Sequence, residues 1–201
     1  MQKTLNKVCQ RADSYKFLSD CYYLPDEELI QKVAEFAQTN HFFAELYNCI
    51  PLDVELESLK IDYAQLFVGP FKLLAPPYGS FYLEDSRLMG ESTIDVRNWY
   101  EKEGLDVVIK DAPDHIAMEL EFMYYLAVKQ NQATEKGNIQ DIQLCQQKQK
   151  SFLNSHLAKW LPKFAEKVQN NSQIEFYKKL AGLTDIFVRK DLDGSLSSDA
   201  Q

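Results

Sequence analysis

The chain has 201 residues, with 22 lysines and arginines against 30 aspartates and glutamates, for a formal net charge of −8. That balance argues against a phosphate-backbone binder, which needs clustered cations, so no nucleic-acid partner is expected. At 45% hydrophobic and 26% charged the composition is globular, and no stretch approaches the ~18 apolar residues of a membrane span, so no stable membrane insertion is expected.

Apolar residues recur at helical spacing along almost the whole chain. Leu5, Val8, Ala12, Tyr15, Leu18 and Tyr22 predict a first helix closed by Pro25, and Asp26 has the place of an N-cap for a second through Leu29, Val33 and Ala37. A short helix is expected near residues 41–47. Another carries Leu56, Leu59, Tyr63, Leu66 and Phe67 and stops at Gly69-Pro70. Six of the fourteen glycines and prolines then fall between Gly69 and Gly90, which marks a hinge. It also bears Phe71, Leu73, Leu74, Tyr78, Phe81 and Tyr82, most of them expected to pack down, so it is no solvated linker. Ser92 to Asp95 has the form of a capping box for a helix ending at Gly104, and residues 105–109 read as extended with no second strand to pair with. Pro113 suits a first helical position ahead of Ile116, Leu120, Met123 and Ala127. A long pattern from Ile139 to Leu161 should be kinked, or ended and restarted, at Pro162. A last helix holds Ile174, Tyr177, Leu180 and Val188, and a loose tail follows. The fold class is all-α: a helical unit over 1–68, a hinge over 69–91, a second unit over 92–189 and a flexible tail over 190–201.

Catalytic chemistry finds little support. Cys9, Cys21, Cys49 and Cys145 show no C-x-x-C spacing, and the opening residues hold no apolar signal core, so free thiols in a reducing cytoplasm are expected. His41, His115 and His156 lie on separate predicted helices without an i, i+4 partner, so neither metal nor cofactor is predicted. Asp114-His115 could suggest an acid–base pair, but helical neighbours point about 100° apart and do not face each other. A helix start at Pro113, with Asp114 offsetting free N–H groups, is the plainer account. Recognition fits better. Tyr63, Leu66 and Phe67 form one apolar stripe and Ile116, Leu120 and Met123 another, near the carboxyls of Asp114, Glu119 and Glu121. An apolar groove edged with acids, with Met118 and Met123 as adaptable surface, complements a peptide that joins arginines to an apolar run.

The order of these motifs resembles the TorD/DmsD-type redox-enzyme maturation chaperones. It is carried by Tyr63-Ala-Gln-Leu66-Phe67 with Gly69-Pro70, Ala75-Pro-Pro-Tyr-Gly-Ser-Phe-Tyr82, Gly90, Ala112-Pro-Asp-His115 and Phe152 to Pro162. The resemblance implies an all-helical cytoplasmic bacterial protein that catalyses nothing. It would bind the twin-arginine signal peptide and the apo form of a molybdenum-cofactor oxidoreductase subunit, delaying export until the cofactor is in place. By motif position the peptide-binding candidates are Tyr63, Leu66, Phe67, Pro77, Tyr78, Asp114 and His115. The groove reading adds Glu119 and Met123, and Gly90 belongs to the supporting backbone. Ala112 stands where the family usually has Glu, so a contact to arginine made by that Glu would be lost here or come from another acid. The hinge would permit a domain-swapped dimer beside the monomer. The alternatives are a small-molecule or nucleotide-binding enzyme using Asp114 and His115, or a structural adaptor whose motifs are only core.

Overall fold

The computed structural model describes residues 2–49, 56–69, 73–105 and 112–197. Ten α-helices run through these residues: α1 (Gln2–Cys21), α2 (Glu27–Thr39), α3 (Ala44–Asn48), α4 (Leu56–Tyr63), α5 (Gly79–Leu83), α6 (Glu91–Lys102), α7 (Ile116–Glu135), α8 (Ile139–Ser155), α9 (Leu157–Asn171) and α10 (Glu175–Leu192). No strand occurs among the described residues; the only β-type pairing is an isolated antiparallel bridge between Tyr78 and His115. Most of the segment expected to be extended, residues 106–109, lies outside the described residues. The architecture is all-α.

Some ends obey local sequence rules. Asp26 accepts from the Leu29 amide at 2.8 Å and starts α2 as a side-chain cap should. Past Tyr63 the helix widens into a π turn over Ala64–Val68 and ends at Gly69, whose φ of 30° suits glycine.

Other ends depart from the expectations. α6 starts at Glu91 rather than behind a Ser92 capping box, because Glu84 accepts from the Glu91 amide at 3.0 Å and from the Ser92 amide at 2.7 Å. Glu84 lies so close that a Cβ on Gly90 would fall 1.8 Å from its carboxyl. α7 starts at Ile116, not Pro113, with His115 as N-cap accepting from the Ala117 amide at 3.2 Å. The long helical run breaks at His156, where φ is −126° and ψ −94°, while Pro162 sits inside α9. His156 Nε2 lies 3.0 Å from Asp95 of α6 at this break.

One hydrophobic cluster joins helices from both sides of the 69–91 segment. α1 lies along α7, α7 also packs on α8, and α9 on α10. Ser19 of α1 donates to the Ala117 carbonyl of α7 at 2.9 Å. α10 runs past 189 into the expected tail because Asp191 accepts from Arg11 of α1 at 2.9 and 3.1 Å and from the Tyr15 hydroxyl at 2.6 Å. Arg11 also donates to Gln130 and Gln149, a part-buried network that fastens the first helix to the last.

Candidate functional site

Two segments some 35 residues apart in sequence meet face to face. The Ile116 amide donates to the Pro77 carbonyl at 2.8 Å, and the Gly79 amide to the Asp114 carbonyl at 2.9 Å. This pairing sets the half-buried Tyr78 ring edge-on to His115, with centroids 5.3 Å apart. Tyr23, from the chain just beyond α1, also stacks on the imidazole, with centroids 6.3 Å apart. Tyr23 and Leu24 are exposed, and the Tyr23 hydroxyl reaches the Met118 sulfur at 3.5 Å. The surface here is aromatic and apolar.

Behind it lies an acidic interior. Asp114 is 1% exposed, and its Oδ2 accepts from the Ser80 amide at 2.7 Å. It therefore caps α5 from the hinge rather than its own helix. Asp114 Oδ1 and the Ser80 hydroxyl are buried without a partner. Glu119, one turn into α7, is likewise 1% exposed, and its two oxygens share one donor, the Trp160 indole N–H at 3.2 and 3.3 Å. Burial, reinforced by nearby Asp114, holds the Glu119 carboxyl well above the usual carboxylate range, against a smaller pull from the Trp160 N–H. Glycine at position 79 lets the hinge backbone sit directly on this acid. A Cβ there would come 2.9 Å from the indole nitrogen and 3.1 Å from Glu119 Oε1. The wall is completed by Tyr100 of α6, whose hydroxyl donates to the Pro113 carbonyl at 2.8 Å.

The predicted residues thus divide. Pro77, Tyr78, Asp114 and His115 meet directly, and Glu119 lies behind them through Gly79 and Trp160. Tyr63, Leu66 and Phe67 belong to the core: Leu66 is fully buried, and Phe67 packs against Tyr22, Phe164 and Tyr177. They reach the site through the Ala75 amide, which donates to the Leu66 carbonyl at 3.0 Å, and through Phe164, which contacts Trp160. Met123 is also fully buried. These side chains support the turn from beneath rather than line an open groove. The Asp–His pair does not form a catalytic dyad, since Asp114 faces Ser80 while His115 Nδ1 faces the Ala117 amide.

Trp160, Ser80 and Tyr23 were not singled out from sequence. Trp160 stood within a motif, but nothing local marks its indole as the partner of an acid 41 residues earlier. A separate groove of about 610 Å³ between α5 and α9, lined by Phe81, Ser86, Lys163, Lys167 and Asn170 among others, includes none of the predicted residues. Among the described residues no group of three or more histidines, cysteines and acids is placed to hold a metal, and no helix is long and apolar enough to cross a membrane.

Comparison with known proteins agrees with the fold and the motif order. The family model described as nitrate reductase delta subunit matches residues 26–166. The chaperone protein TorD of Vibrio parahaemolyticus is 30% identical over 142 residues, 69% of this chain and 64% of its own length. The chaperone protein TorD of Aliivibrio fischeri is 32% identical over 143 residues, 70% of this chain and 65% of its own. The chain therefore spans a little under two thirds of the length of these curated relatives. A redox enzyme maturation protein from Archaeoglobus fulgidus shares the fold, with a TM-score of 0.59 at 23% identity over 89% of this chain and 94% of that one. With the family model matched across well over half of its length, this chain belongs to the nitrate reductase delta subunit family of TorD-type redox-enzyme maturation chaperones.

Proposed function

We propose that the protein is a cytoplasmic chaperone without catalytic activity. It binds the twin-arginine signal peptide and the apo form of a molybdenum-cofactor oxidoreductase subunit, and holds that subunit back from export until its cofactor is inserted. The observation that carries this reading is the meeting of residues 77–79 with residues 114–116, which sets an aromatic, apolar surface over two buried carboxyls. A leader that joins an arginine pair to an apolar run matches both halves of that arrangement. Tyr78, His115, Tyr23 and Leu24 take the apolar run, and Asp114 and Glu119 select for arginine. Residues 69–91 act as the joint between the flanking helical units, and exchange of a unit through that joint gives a dimer beside the monomer.

The test is calorimetric titration with synthetic twin-arginine leaders, beginning with those encoded beside its gene. Saturable binding near micromolar, about −8 kcal/mol, is expected, because the leader must later be released. Weaker binding of a twin-lysine version is also expected. No saturable binding to any such leader would overturn the reading.

A further inference from the structure

Asp114, Glu119 and Ser80 form a cluster of groups that are buried yet short of partners. A carboxylate withdrawn from water normally gathers several donors or a cation. Asp114 uses one oxygen, on the Ser80 amide, and leaves the other without a partner. The Ser80 hydroxyl beside it is also unmatched, and Glu119 has a single indole N–H for both oxygens and no paired cation. The groups that face Glu119 are Asp114 from the turn before α7, Tyr100 from α6 and Trp160 from α9. α5 brings the backbone of Gly79 against it. Two imidazoles belong to this neighbourhood: His115 faces the Ala117 amide, and His156, which senses Asp114, lies against Asp95. With no cation beside it, burial holds the Glu119 carboxyl well above the usual carboxylate range.

Once Glu119 has given up its proton, the spare capacity is of acceptor type, apart from the Ser80 hydroxyl, which can play either part. A planar cation with several N–H donors is the group that would use it. Its cover is thin. Three hydrogen bonds hold residues 77–80 to residues 114–116: Ile116 N–H to Pro77, Gly79 N–H to Asp114, and Ser80 N–H to Asp114.

We infer that this cluster is the seat of one leader arginine, its guanidinium entering between Asp114 and Glu119 when residues 77–83 lift, and that Glu119 releases one proton to solvent on filling. This rests on the leader-binding reading and adds to it the atoms that select arginine and a proton coupled to binding. The proton leaves Glu119 for the buffer, and the guanidinium charge takes its place beside the new carboxylate.

The experiment follows the intact protein by two readouts. Calorimetry in phosphate and in Tris, whose ionisation enthalpies differ, counts protons released per leader bound near pH 7. A ¹H–¹⁵N spectrum follows the Trp160 indole N–H, told from that of Trp99 by a W99F variant. A twin-arginine leader should release close to one proton and shift the Trp160 signal, and millimolar agmatine, a small guanidinium probe that also carries an ammonium group, should shift the same signal. Glu119→Gln should release none and bind the leader about tenfold more weakly; if that variant does not fold, the wild-type proton count decides. A leader that binds with no proton release and an unmoved Trp160 overturns this inference and leaves the chaperone reading standing. Agmatine that shifts Trp160 and releases a proton while every leader fails supports the guanidinium seat and overturns the chaperone reading. If neither probe moves Trp160, the cluster is filled by trapped water only and the inference falls.

Discussion

Replacing Asp114 by alanine removes the side-chain acceptor at the start of α5, because the 2.7 Å bond from the Ser80 amide goes with it. Loss of a helix cap costs about 1 kcal/mol, and stranding a buried amide costs roughly 1–3 kcal/mol. Removing a carboxyl that stands near Glu119 returns part of this, so the net loss should be about 2 kcal/mol. For a chain of this size that is a fall in Tm of about 4–8 °C. Asp114→Asn keeps a carbonyl oxygen for the same amide and should lose no more than about 1 kcal/mol. Urea unfolding read by circular dichroism measures both variants, with equal slopes confirming that only the midpoint has moved. Hydrogen exchange at the Gly79 and Ser80 amides should speed up in the alanine variant and hardly at all in the asparagine variant. An alanine variant within 0.5 kcal/mol of wild type, or an asparagine variant as damaged as the alanine one, would refute the cap. If the asparagine variant stays folded and still loses its preference for arginine, the acid serves recognition as well as structure.

The remaining substitutions sort support from recognition. Burial raises the folded-state pKa of Glu119, so above the ordinary carboxylate range the folded chain holds one more proton than the unfolded one. Stability should then fall as pH rises through that window, by at most about 1.4 kcal/mol per unit, and urea midpoints for Glu119→Gln from pH 5 to 8 should lack this slope. Asp191→Ala leaves Arg11 part-buried without its carboxylate and Tyr15 without an acceptor, and should lower unfolding free energy by about 3 kcal/mol in urea. Leu66→Ala, at a fully buried position, should cost about 3 kcal/mol in the same assay. Calorimetry on the folded fraction should find leader affinity unchanged within threefold, whereas a larger loss would mean that Leu66 touches the leader.

What the sequence disclosed was set by range. Helical spacing showed the long helices because each turn samples the same face again within three or four residues. Asp26 was legible as a cap since its partner amide is three residues on. Asp114 was not, because the amide it caps lies 34 residues earlier on a five-residue helix that local propensity would not nucleate. Glu84, just ahead of α6, displaced Ser92 at its start, and the long helix broke at His156, whose ring lies against Asp95, 61 residues earlier. Motif order brought Pro77, Tyr78, Asp114 and His115 together without indicating depth. A stripe such as Tyr63, Leu66 and Phe67 looks alike whether it faces a peptide or the core, and here the packing around Phe164 and Tyr177 puts it inside.

Depth also bears on how fast a leader can enter. The three hydrogen bonds over residues 77–80, at roughly 1 kcal/mol net each, together with the Tyr82 stack on Trp160, place the lifted state at least about 3 kcal/mol up, at or below about 1% of molecules. An arginine that needs this state binds at least about a hundredfold more weakly than its intrinsic contacts allow. Pro77 separates the two roles that a buried hinge residue can play. Its carbonyl accepts from Ile116, and alanine keeps that bond while giving the lifted segment more conformational freedom, by about 0.5–1 kcal/mol. Pro77→Ala should therefore raise the lifted population two- to fivefold, speeding hydrogen exchange at the Gly79 amide and leader association in stopped flow by the same factor. Slower association with Gly79 exchange unchanged would show instead that the ring touches the leader, and that the seat opens by some route other than the lifting of residues 77–80.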